Sequence, residues 1–345
     1  RVGMAMMEAW DRGELDGFEG PEKRLEIDFE ALRDGGPGLL SLPRSFWEEA
    51  MKALNGSILS EQRRDSTGAS FDAYLISESS LFVYPFRIYL LTCGTTVLLN
   101  ALGKLLQAGE QCSLRVEYVQ YSRKNFLFPH QQMQPHTGFD KEVSVLKERF
   151  PEGSPYVLGP LDSDHWFVFL ADYIDRDVTE ETDQSLNIYM HDICEATQAL
   201  FHYDTTPDPD VVAAKAGLSS LVPGAVVQSH CFEPCGFSLN AVKGDSFYTI
   251  HVTPEAHCSY ASLETNLPLP GYNDLIQTVL SLFQPKRAQV IQLIDEGSEM
   301  GKLLPDSAIP PTIVGYKLKN STINQCEPGY QISVLNYSST PSSPR

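Results

Sequence analysis

The sequence predicts an α+β sandwich, in which antiparallel sheets are flanked by helices. Segments with the alternation of strands outnumber segments with helical periodicity, and the two kinds seldom alternate strictly along the chain. The 345 residues are 42% hydrophobic and contain no repeat or low-complexity linker. We therefore expect a single domain over residues 1–345, with residues 1–13 and the Ser/Pro-rich residues 336–345 disordered.

Strand and helix patterns are mixed in the first part of the chain. KRLEIDFEA at 23–31 predicts a strand, and RSFWEEAMKALNG at 44–56 predicts a helix that ends at a glycine. The segment 71–93 predicts two strands around a polar interruption. Apolar residues then recur at helical spacing from about Thr95, so a helix is expected to follow these strands.

Strand patterns dominate the rest of the chain. They occur at 114–123, 164–174, 185–193 and 289–294, and throughout 225–266. Amphipathic helices are predicted at 138–150 and 273–283. Because strands follow one another without a helix between each pair, the sequence predicts antiparallel rather than parallel sheets.

The charge and cysteine content restrict the partners and the compartment. Forty-five acidic against 26 basic residues give a net charge of −19, which repels the phosphates of nucleic acids and anionic membranes. Seven scattered cysteines are typical of a reducing compartment, and free thiols are favoured over a zinc site at Cys231, Cys235 and the neighbouring His230. Neither a signal-peptide pattern nor a sufficiently apolar spanning segment is present, so we expect a cytoplasmic protein.

Three polar segments interrupt the apolar background. They are SESS at 77–80, TCGTT at 92–96 and the region 235–255. Taken singly, they predict a hairpin turn, a helix cap and a satisfied core histidine. Taken together, they contain the residue types that a self-processing backbone needs.

Ser79, His251 and Ser238 form the candidate set for self-processing. The Ser79 hydroxyl attacks the preceding carbonyl and converts the peptide bond into an ester. A base, for which His251 is the candidate, removes the serine α-proton, and β-elimination followed by hydrolysis leaves a pyruvoyl group. The Ser238 hydroxyl is placed to hydrogen-bond to the oxygen of the cyclic intermediate.

Seven sequence blocks between Gly17 and Asn266 resemble one enzyme family and follow its order. They are GFEGPEKRLEI, YLISESSLFV, TCGTT, YSRKNF, FEPCGFSLNA, TIHVTPE and SYASLETN. The sequence resembles the eukaryotic-type S-adenosylmethionine decarboxylases, which are pyruvoyl enzymes of polyamine biosynthesis. The resemblance implies a four-layer αββα sandwich of two antiparallel sheets. It also implies a covalent pyruvoyl group as the cofactor, without metal or pyridoxal phosphate.

The resemblance implies that the chain is a proenzyme that cleaves itself between Glu78 and Ser79. The products are a β chain of residues 1–78 and an α chain of residues 79–345, which begins with the pyruvoyl group made from Ser79. The other two residues of the self-processing set match the family's processing residues.

The resemblance also implies the roles of residues in turnover. The pyruvoyl ketone forms a Schiff base with the α-amine of S-adenosylmethionine and withdraws the electrons that remain when carbon dioxide leaves. Cys93 matches the family's proton donor, and Glu19 matches an acidic residue with a supporting role. The product is the aminopropyl donor for spermidine and spermine.

Five residues are implied in substrate binding. Phe18 and Phe232 match two rings that sandwich the adenine, an arrangement that aromatic stacking stabilises. Glu255 matches a carboxylate that binds the ribose hydroxyls. The backbone near Ile76 and Glu78 matches the segment that recognises the adenine edge.

The sequence departs from the family at an acidic site that binds putrescine in animal enzymes. Glu26, Asp183 and Glu264 are the candidate carboxylates. An expected acidic residue is Asn187, however, and an expected lysine is Leu91. This departure argues against activation by putrescine and leaves constitutive activity of the plant type or activation by a protein partner as alternatives.

Two other functions compete with the decarboxylase. One is a catalytically inactive regulatory paralogue of the same fold, and the other is a protein that binds nucleosides without reacting. Retention of the reactive residues argues against the first. Besides S-adenosylmethionine and the two chains of one precursor, the partners left open are a second copy of the chain and a regulatory paralogue.

Overall fold

The structure is a computed structural model that describes most of the chain. The described residues are 17–32, 38–77, 79–173, 183–295, 297–298, 300–301, 312–326 and 329–340. The disorder predicted for residues 1–13 and 341–345 lies outside them, and so does Glu78. Within the described ranges, all seven cysteines are free thiols, and no helix is both long and apolar enough to cross a membrane.

The chain forms two compact units, and each contains one eight-stranded antiparallel sheet. The first unit comprises the described parts of Arg1–Val157 and Trp166–Ile174 together with Val242–Asp245, and the second comprises the remainder. The sequence predicts a single domain, and this stays a prediction. Two units result because each sheet packs its helices around a separate hydrophobic core.

The first sheet has the strand order β2-β3-β4-β5-β1-β6-β8-β7. Its strands are β1 (Lys23–Ala31), β2 (Ile58–Gln62), β3 (Asp72–Ile76), β4 (Ser79–Val83), β5 (Arg87–Thr92), β6 (Leu114–Lys124), β7 (Ser154–Leu158) and β8 (Trp166–Asp172). The first strand in sequence is therefore central, because it pairs with β5 on one side and with β6 on the other.

Helices supply apolar side chains to the core of the first unit. They are α1 (Arg44–Lys52), α2 (Arg64–Thr67), α3 (Leu102–Gln111), which follows a 3-10 turn at Leu98–Ala101, and α4 (Phe139–Arg149). Two further 3-10 turns lie at Leu39–Ser41 and Pro129–Gln131. Trp47 of α1, Leu105 of α3 and Leu146 of α4 pack with Leu25 and Ile27 of β1. Burial of these side chains contributes roughly 1.5–3 kcal/mol for each large one.

The second sheet has the strand order β10-β11-β12-β13-β9-β14-β16-β15. Its strands are β9 (Gln184–His191), β10 (Val226–Cys231), β11 (Phe237–Lys243), β12 (Ser246–Thr253), β13 (Tyr260–Thr265), β14 (Arg287–Asp295), β15 (Tyr316–Cys326) and β16 (Tyr330–Ser339). Its helices are α5 (Glu195–Gln198), α6 (Pro209–Lys215) and α7 (Asn273–Phe283), with 3-10 turns at Ala199–Phe201 and Leu218–Ser220. The buried face of α7 packs Ile276, Leu280 and Phe283 into the core of this unit.

The predicted α+β class, with two antiparallel sheets and flanking helices, is confirmed. Three local predictions are corrected. The segment 71–93 forms three strands rather than two, because the chain turns again at Tyr84–Phe86. The helix expected from Thr95 begins with the 3-10 turn at Leu98. The tail expected to be disordered from residue 336 is a strand as far as Ser339, because Asn336 to Ser338 pair with β14.

Candidate active site

The predicted cleavage point lies where β3 and β4 form a hairpin. Ile76, the last residue of β3, is opposite Ser79, the first residue of β4. Ser77 holds the turn, because its backbone N–H donates to Ser57 O and its Oγ accepts from Ser57 N, both at 2.9 Å. Ser79 has a φ of 146°, which residues with a side chain rarely adopt. Such a conformation costs about 1–3 kcal/mol, so strain is stored next to the bond that is expected to break.

The neighbouring strand brings Cys93 close to this point. Ser79 of β4 is opposite Thr92 of β5, and Cys93 follows Thr92 directly. Residues directly opposite each other on antiparallel strands share one face of the sheet. The Thr92 hydroxyl is buried and has no hydrogen-bond partner among the described residues. A buried donor on the face of Ser79 fits a group with acceptor oxygens at that position, as a pyruvoyl group has.

The backbone after Cys93 is held from both sides. The Gly94 N–H donates to Glu19 O at 2.8 Å, and the Gly94 carbonyl accepts from Lys23 Nζ at 2.9 Å. Gly94 has a φ of 63°, in the left-handed region that favours glycine. Its carbonyl also lies 3.4 Å from Gln132 Nε2. These contacts fix the turn that presents the Cys93 side chain, which is partly exposed.

Glu19 and Lys23 are both buried beside this turn. The Glu19 carboxylate accepts from the backbone N–H of Leu127 at 2.9 Å and of Phe128 at 2.7 Å. Burial raises the pKa of Glu19, and these two hydrogen bonds oppose that rise. Burial lowers the pKa of Lys23 to about 8, and the charges of Glu19 and of a Cys93 thiolate oppose that change. The predicted supporting role of Glu19 is therefore compatible with its position.

Lys23 is a functional candidate that the sequence interpretation missed. A lysine in a strand-like segment is ordinarily exposed, but Lys23 is fully buried and pairs in register with Thr92. The residues opposite one another across the sheet are thus Ser79, Thr92 and Lys23. The signal available in the sequence was a charge at the start of an otherwise apolar strand.

A buried polar network lies on the other side of β1. The Glu142 carboxylate accepts from Arg123 Nε and from the Tyr121 hydroxyl, each at 2.9 Å, and it lies 2.7 Å from His136 Nδ1. Arg123 also stacks over the ring of Phe126, 4.2 Å from its centroid. Burial lowers the pKa of His136 to about 4. The network supports the loop whose N–H groups bind Glu19, and nothing in the motifs alone predicts it.

In the second unit the structure brings Ser238 and His251 together. They lie on the adjacent strands β11 and β12, and Ser238 Oγ is 2.8 Å from His251 Nδ1. Both side chains are buried. Burial lowers the pKa of His251 to about 3, so the imidazole is neutral at physiological pH. The pair predicted for processing is therefore a hydrogen-bonded hydroxyl and neutral imidazole, which is the form that accepts a proton.

The predicted substrate-binding residues are distributed over both units. Phe18 and Phe232 are partly exposed, whereas the side chain of Ile76 is in the core of the first unit. Phe232 is held by its N–H, which donates to Gly236 O at 2.9 Å. Glu255 is buried, and the Cys258 thiol lies 3.9 Å from its Oε2. Partly exposed aromatic rings and a buried carboxylate are compatible with the roles expected of these residues.

The candidate carboxylates of the acidic site differ in their surroundings. Glu26 of β1 accepts from Arg24 at 2.7 Å and lies 3.5 Å from Arg87. In the second unit, Glu264 is opposite Asn187 on adjacent strands, and Asp183 precedes β9. Arg87 donates two hydrogen bonds to Asp28, at 2.6 and 2.7 Å, so Arg24 is the main partner of Glu26. Because Glu26 is already paired with Arg24, this carboxylate has less electrostatic attraction to offer a diamine.

Comparison with known proteins identifies the family. The model of the adenosylmethionine decarboxylase family matches residues 15–338. The chain is 36% identical over 332 residues to the S-adenosylmethionine decarboxylase proenzyme of Dictyostelium discoideum, covering 93% of this chain and 86% of that protein. It is 37% identical to the proenzyme of Xenopus laevis over 287 residues, covering 82% of this chain and 84% of that protein.

A solved structure gives the same result. The crystal structure of the Trypanosoma brucei AdoMetDC-delta26 monomer is similar with a TM-score of 0.60 and 32% sequence identity, over 75% of this chain and 99% of that one. The chain belongs to the adenosylmethionine decarboxylase family. The family predicted from the seven sequence blocks is therefore confirmed.

Proposed function

We propose that this protein decarboxylates S-adenosylmethionine, with a pyruvoyl group that it makes from its own Ser79. The product is the aminopropyl donor used to make spermidine and spermine. Membership of the family supports the reaction. The observation that carries the proposal is the strained Ser79, at the start of β4 and in register with the residue before Cys93.

Self-cleavage begins with the Ser79 hydroxyl. Its oxygen attacks the carbonyl carbon of Glu78, the carbon–nitrogen bond breaks, and the nitrogen takes up the hydroxyl proton, so the amide becomes an ester with a free amine. Removal of the Ser79 α-proton by His251 then expels the Glu78 carboxylate by β-elimination. Water replaces the amine, which leaves as ammonia, and the α chain begins with a pyruvoyl group. Relief of strain at Ser79 favours the first step.

The residues near Ser79 fit the chemistry of that group. When present, the pyruvoyl group supplies a carbonyl pair that withdraws the electrons left behind by departing carbon dioxide. Thr92 provides a buried donor on the same face of the sheet. Cys93 Sγ supplies the proton to the carbon that has lost its carboxylate, and the contacts of Gly94 with Glu19 and Lys23 fix the direction from which that proton comes.

Binding of the substrate uses two aromatic rings and one carboxylate. Phe18 and Phe232 stack on the adenine, and a stacked pair contributes about 0.5–1.5 kcal/mol beyond burial of area. The Glu255 carboxylate accepts hydrogen bonds from the ribose hydroxyls. Retention of Ser79 and Cys93, together with the hydrogen-bonded pair of Ser238 and His251, supports an active enzyme over an inactive paralogue.

A substitution at Ser79 tests the proposal. The unmodified protein should yield two chains on denaturing electrophoresis, and Ser79→Ala should remain a single chain of 38.4 kDa without activity. The matched control is Ser80→Ala, because it removes the next hydroxyl of the same strand and keeps Ser79, so it should still cleave. Cys93→Ala should cleave but release labelled carbon dioxide poorly. Turnover by uncleaved Ser79→Ala protein would refute the proposal.

A further inference from the structure

Thr249 lies behind the imidazole of His251. Its Oγ1 is 2.9 Å from His251 Nε2, 2.8 Å from Asn240 Oδ1 and 3.1 Å from Leu239 O. Thr249 and His251 are two residues apart on β12, so their side chains lie on the same face of the sheet. Thr249 is 1% exposed, so water does not readily replace these partners.

The number of protons available in this cluster determines which group donates in each hydrogen bond. A hydroxyl has one proton to donate, and carbonyl oxygens only accept. If Thr249 donated to His251, its oxygen would face the oxygens of Leu239 and Asn240 at 3.1 and 2.8 Å with no proton between them. If it donates to one of these carbonyls, its lone pair accepts a proton from His251 Nε2. The second arrangement leaves one oxygen–oxygen contact without a proton, whereas the first leaves two, so burial makes the first the more costly.

The tautomer of His251 follows from this direction. A neutral imidazole has one N–H, and burial lowers the pKa of His251 to about 3, which keeps it neutral. With the proton on Nε2, the lone pair is on Nδ1. This is the nitrogen 2.8 Å from Ser238 Oγ, so it accepts a proton from the Ser238 hydroxyl.

We propose that Thr249 is a positioning residue for self-cleavage, because its hydroxyl holds His251 in the tautomer whose basic nitrogen faces Ser238. The inference rests on the proposed self-cleavage. A hydroxyl orients the ring without adding charge, whereas a carboxylate in the same place would stabilise the protonated imidazole. The base therefore stays neutral in the buried site while its orientation is fixed.

Nitrogen NMR of the histidine rings tests the tautomer without requiring cleavage. The Ser79→Ala precursor, labelled with ¹⁵N at histidine, should show His251 protonated at Nε2, with the resonance assigned by comparison with Ser79→Ala/His251→Gln. Adding Thr249→Val should shift the ring toward the other tautomer or a mixture, and adding Thr249→Ser should leave it unchanged. Protonation at Nδ1 in the precursor with Thr249 intact would overturn the inference.

The rate of self-cleavage gives the second test. Thr249→Val should slow the appearance of the two chains by about 10–100-fold, by analogy with the loss of a partner that orients a metal-binding histidine. Thr249→Ser should cleave at nearly the rate of the unmodified protein. The matched control is Thr265→Val, because Thr265 is a buried threonine of the adjacent strand whose hydroxyl donates to Phe247 O at 2.6 Å, and its cleavage rate should not change.

The outcomes separate this inference from the proposed function. Cleavage of Thr249→Val at the unmodified rate would overturn the role of Thr249 and leave the proposed function intact. A protein with the expected His251 tautomer that never cleaves would contradict the proposed function instead. Thr249→Ala enters the same two assays if the valine variant is recovered unfolded, so the role of the hydroxyl is tested in either case.

Discussion

Lys23 shows how a single buried charge supports the site. Its ammonium donates to the carbonyl oxygen of Gly94, the residue after Cys93, and lies 5.2 Å from the centre of the Phe126 ring. Taking this charge out of water is costly, and the hydrogen bond to Gly94 and the nearby Glu19 offset part of that cost. A buried lysine that binds the backbone beside Cys93, the proposed proton donor, is thus better explained by positioning than by stability.

Replacing Lys23 tests this explanation. Lys23→Met keeps roughly the length of the side chain and removes the donor to Gly94. The turn that presents Cys93 should then be held less firmly, and the Cys93 thiol should be positioned less well. We expect kcat/KM to fall about tenfold or more, which corresponds to about 1.4 kcal/mol of transition-state stabilisation. The kcat/KM is measured from the release of labelled carbon dioxide by fully cleaved protein. Lys317→Met, at an exposed lysine of β15, is the control, and equal activities of the two variants would contradict the role of Lys23.

Individual residues of the site were predictable to different degrees. Ser79, Cys93, Ser238 and His251 lie in blocks that resemble a family, so their candidacy followed from the sequence. Lys23 and Thr249 lie in the same blocks, but their importance depends on hydrogen bonds that the sequence alone does not reveal. Lys23 donates to Gly94 O, and Thr249 contacts Leu239 and Asn240 of β11 as well as His251.

A glycine in helix α3 allows this helix to approach the first sheet closely. Gly109 is buried against β1, and a Cβ at this position would overlap the ring of Phe29. Gly103 of the same helix is exposed, and a Cβ there would meet no atom within 4 Å. The helix thus approaches the sheet closely at one glycine only.

Two alanine substitutions in α3 should have opposite effects. Gly109→Ala forces the helix or the Phe29 ring to move, and we expect a loss of about 1–3 kcal/mol in the free energy of unfolding. Gly103→Ala, the matched control, should gain about 0.5–1 kcal/mol because alanine favours the helix without a new contact. Urea unfolding of both variants measures the difference. A stabilising Gly109→Ala would show that this contact is not tight.

Strands and helices with clear periodicity were predictable, and the exceptions have physical causes. The strand β1 and the helices α1, α4 and α7 lie where the local pattern places them. The third strand in segment 71–93 was missed because the turn before β5 contains apolar residues. The end of β16 was missed because Ser-rich composition indicates disorder, whereas pairing with β14 is a distant contact that local composition does not reveal.

Two of the three buried histidines in the described part of the chain, His136 and His251, make the stability of the protein depend on pH. Burial lowers the pKa of His136 to about 4 and of His251 to about 3, while both have ordinary values in the unfolded chain. Between about pH 4 and 6.5 the unfolded state therefore binds more protons than the folded state, and stability rises with pH. This contribution is fully present above about pH 7 and is lost as the solution is acidified.

Urea unfolding of the Ser79→Ala precursor at two pH values tests this dependence. From pH 7.5 to 5.5, each buried histidine should cost about 1.4 kcal/mol, because its unfolded form becomes mostly protonated. Burial raises the pKa of Glu19, which opposes part of the change, so we expect a net loss of about 1–3 kcal/mol. His136→Gln should show a smaller loss. Stability that is equal or greater at pH 5.5 would contradict the assignment of neutral buried histidines.

The strand order of the first sheet determines what self-cleavage leaves behind. Residues 1–78 supply β1, β2 and β3, and β1 is inserted between β5 and β6, which belong to the longer fragment. The two proposed fragments share one sheet, because the shorter fragment provides the central strand β1 and the longer fragment provides the strands on both sides of it. The proposed scission between Glu78 and Ser79 would therefore end covalent continuity without removing β1 from the sheet, and we expect the two fragments to stay associated until the protein is denatured.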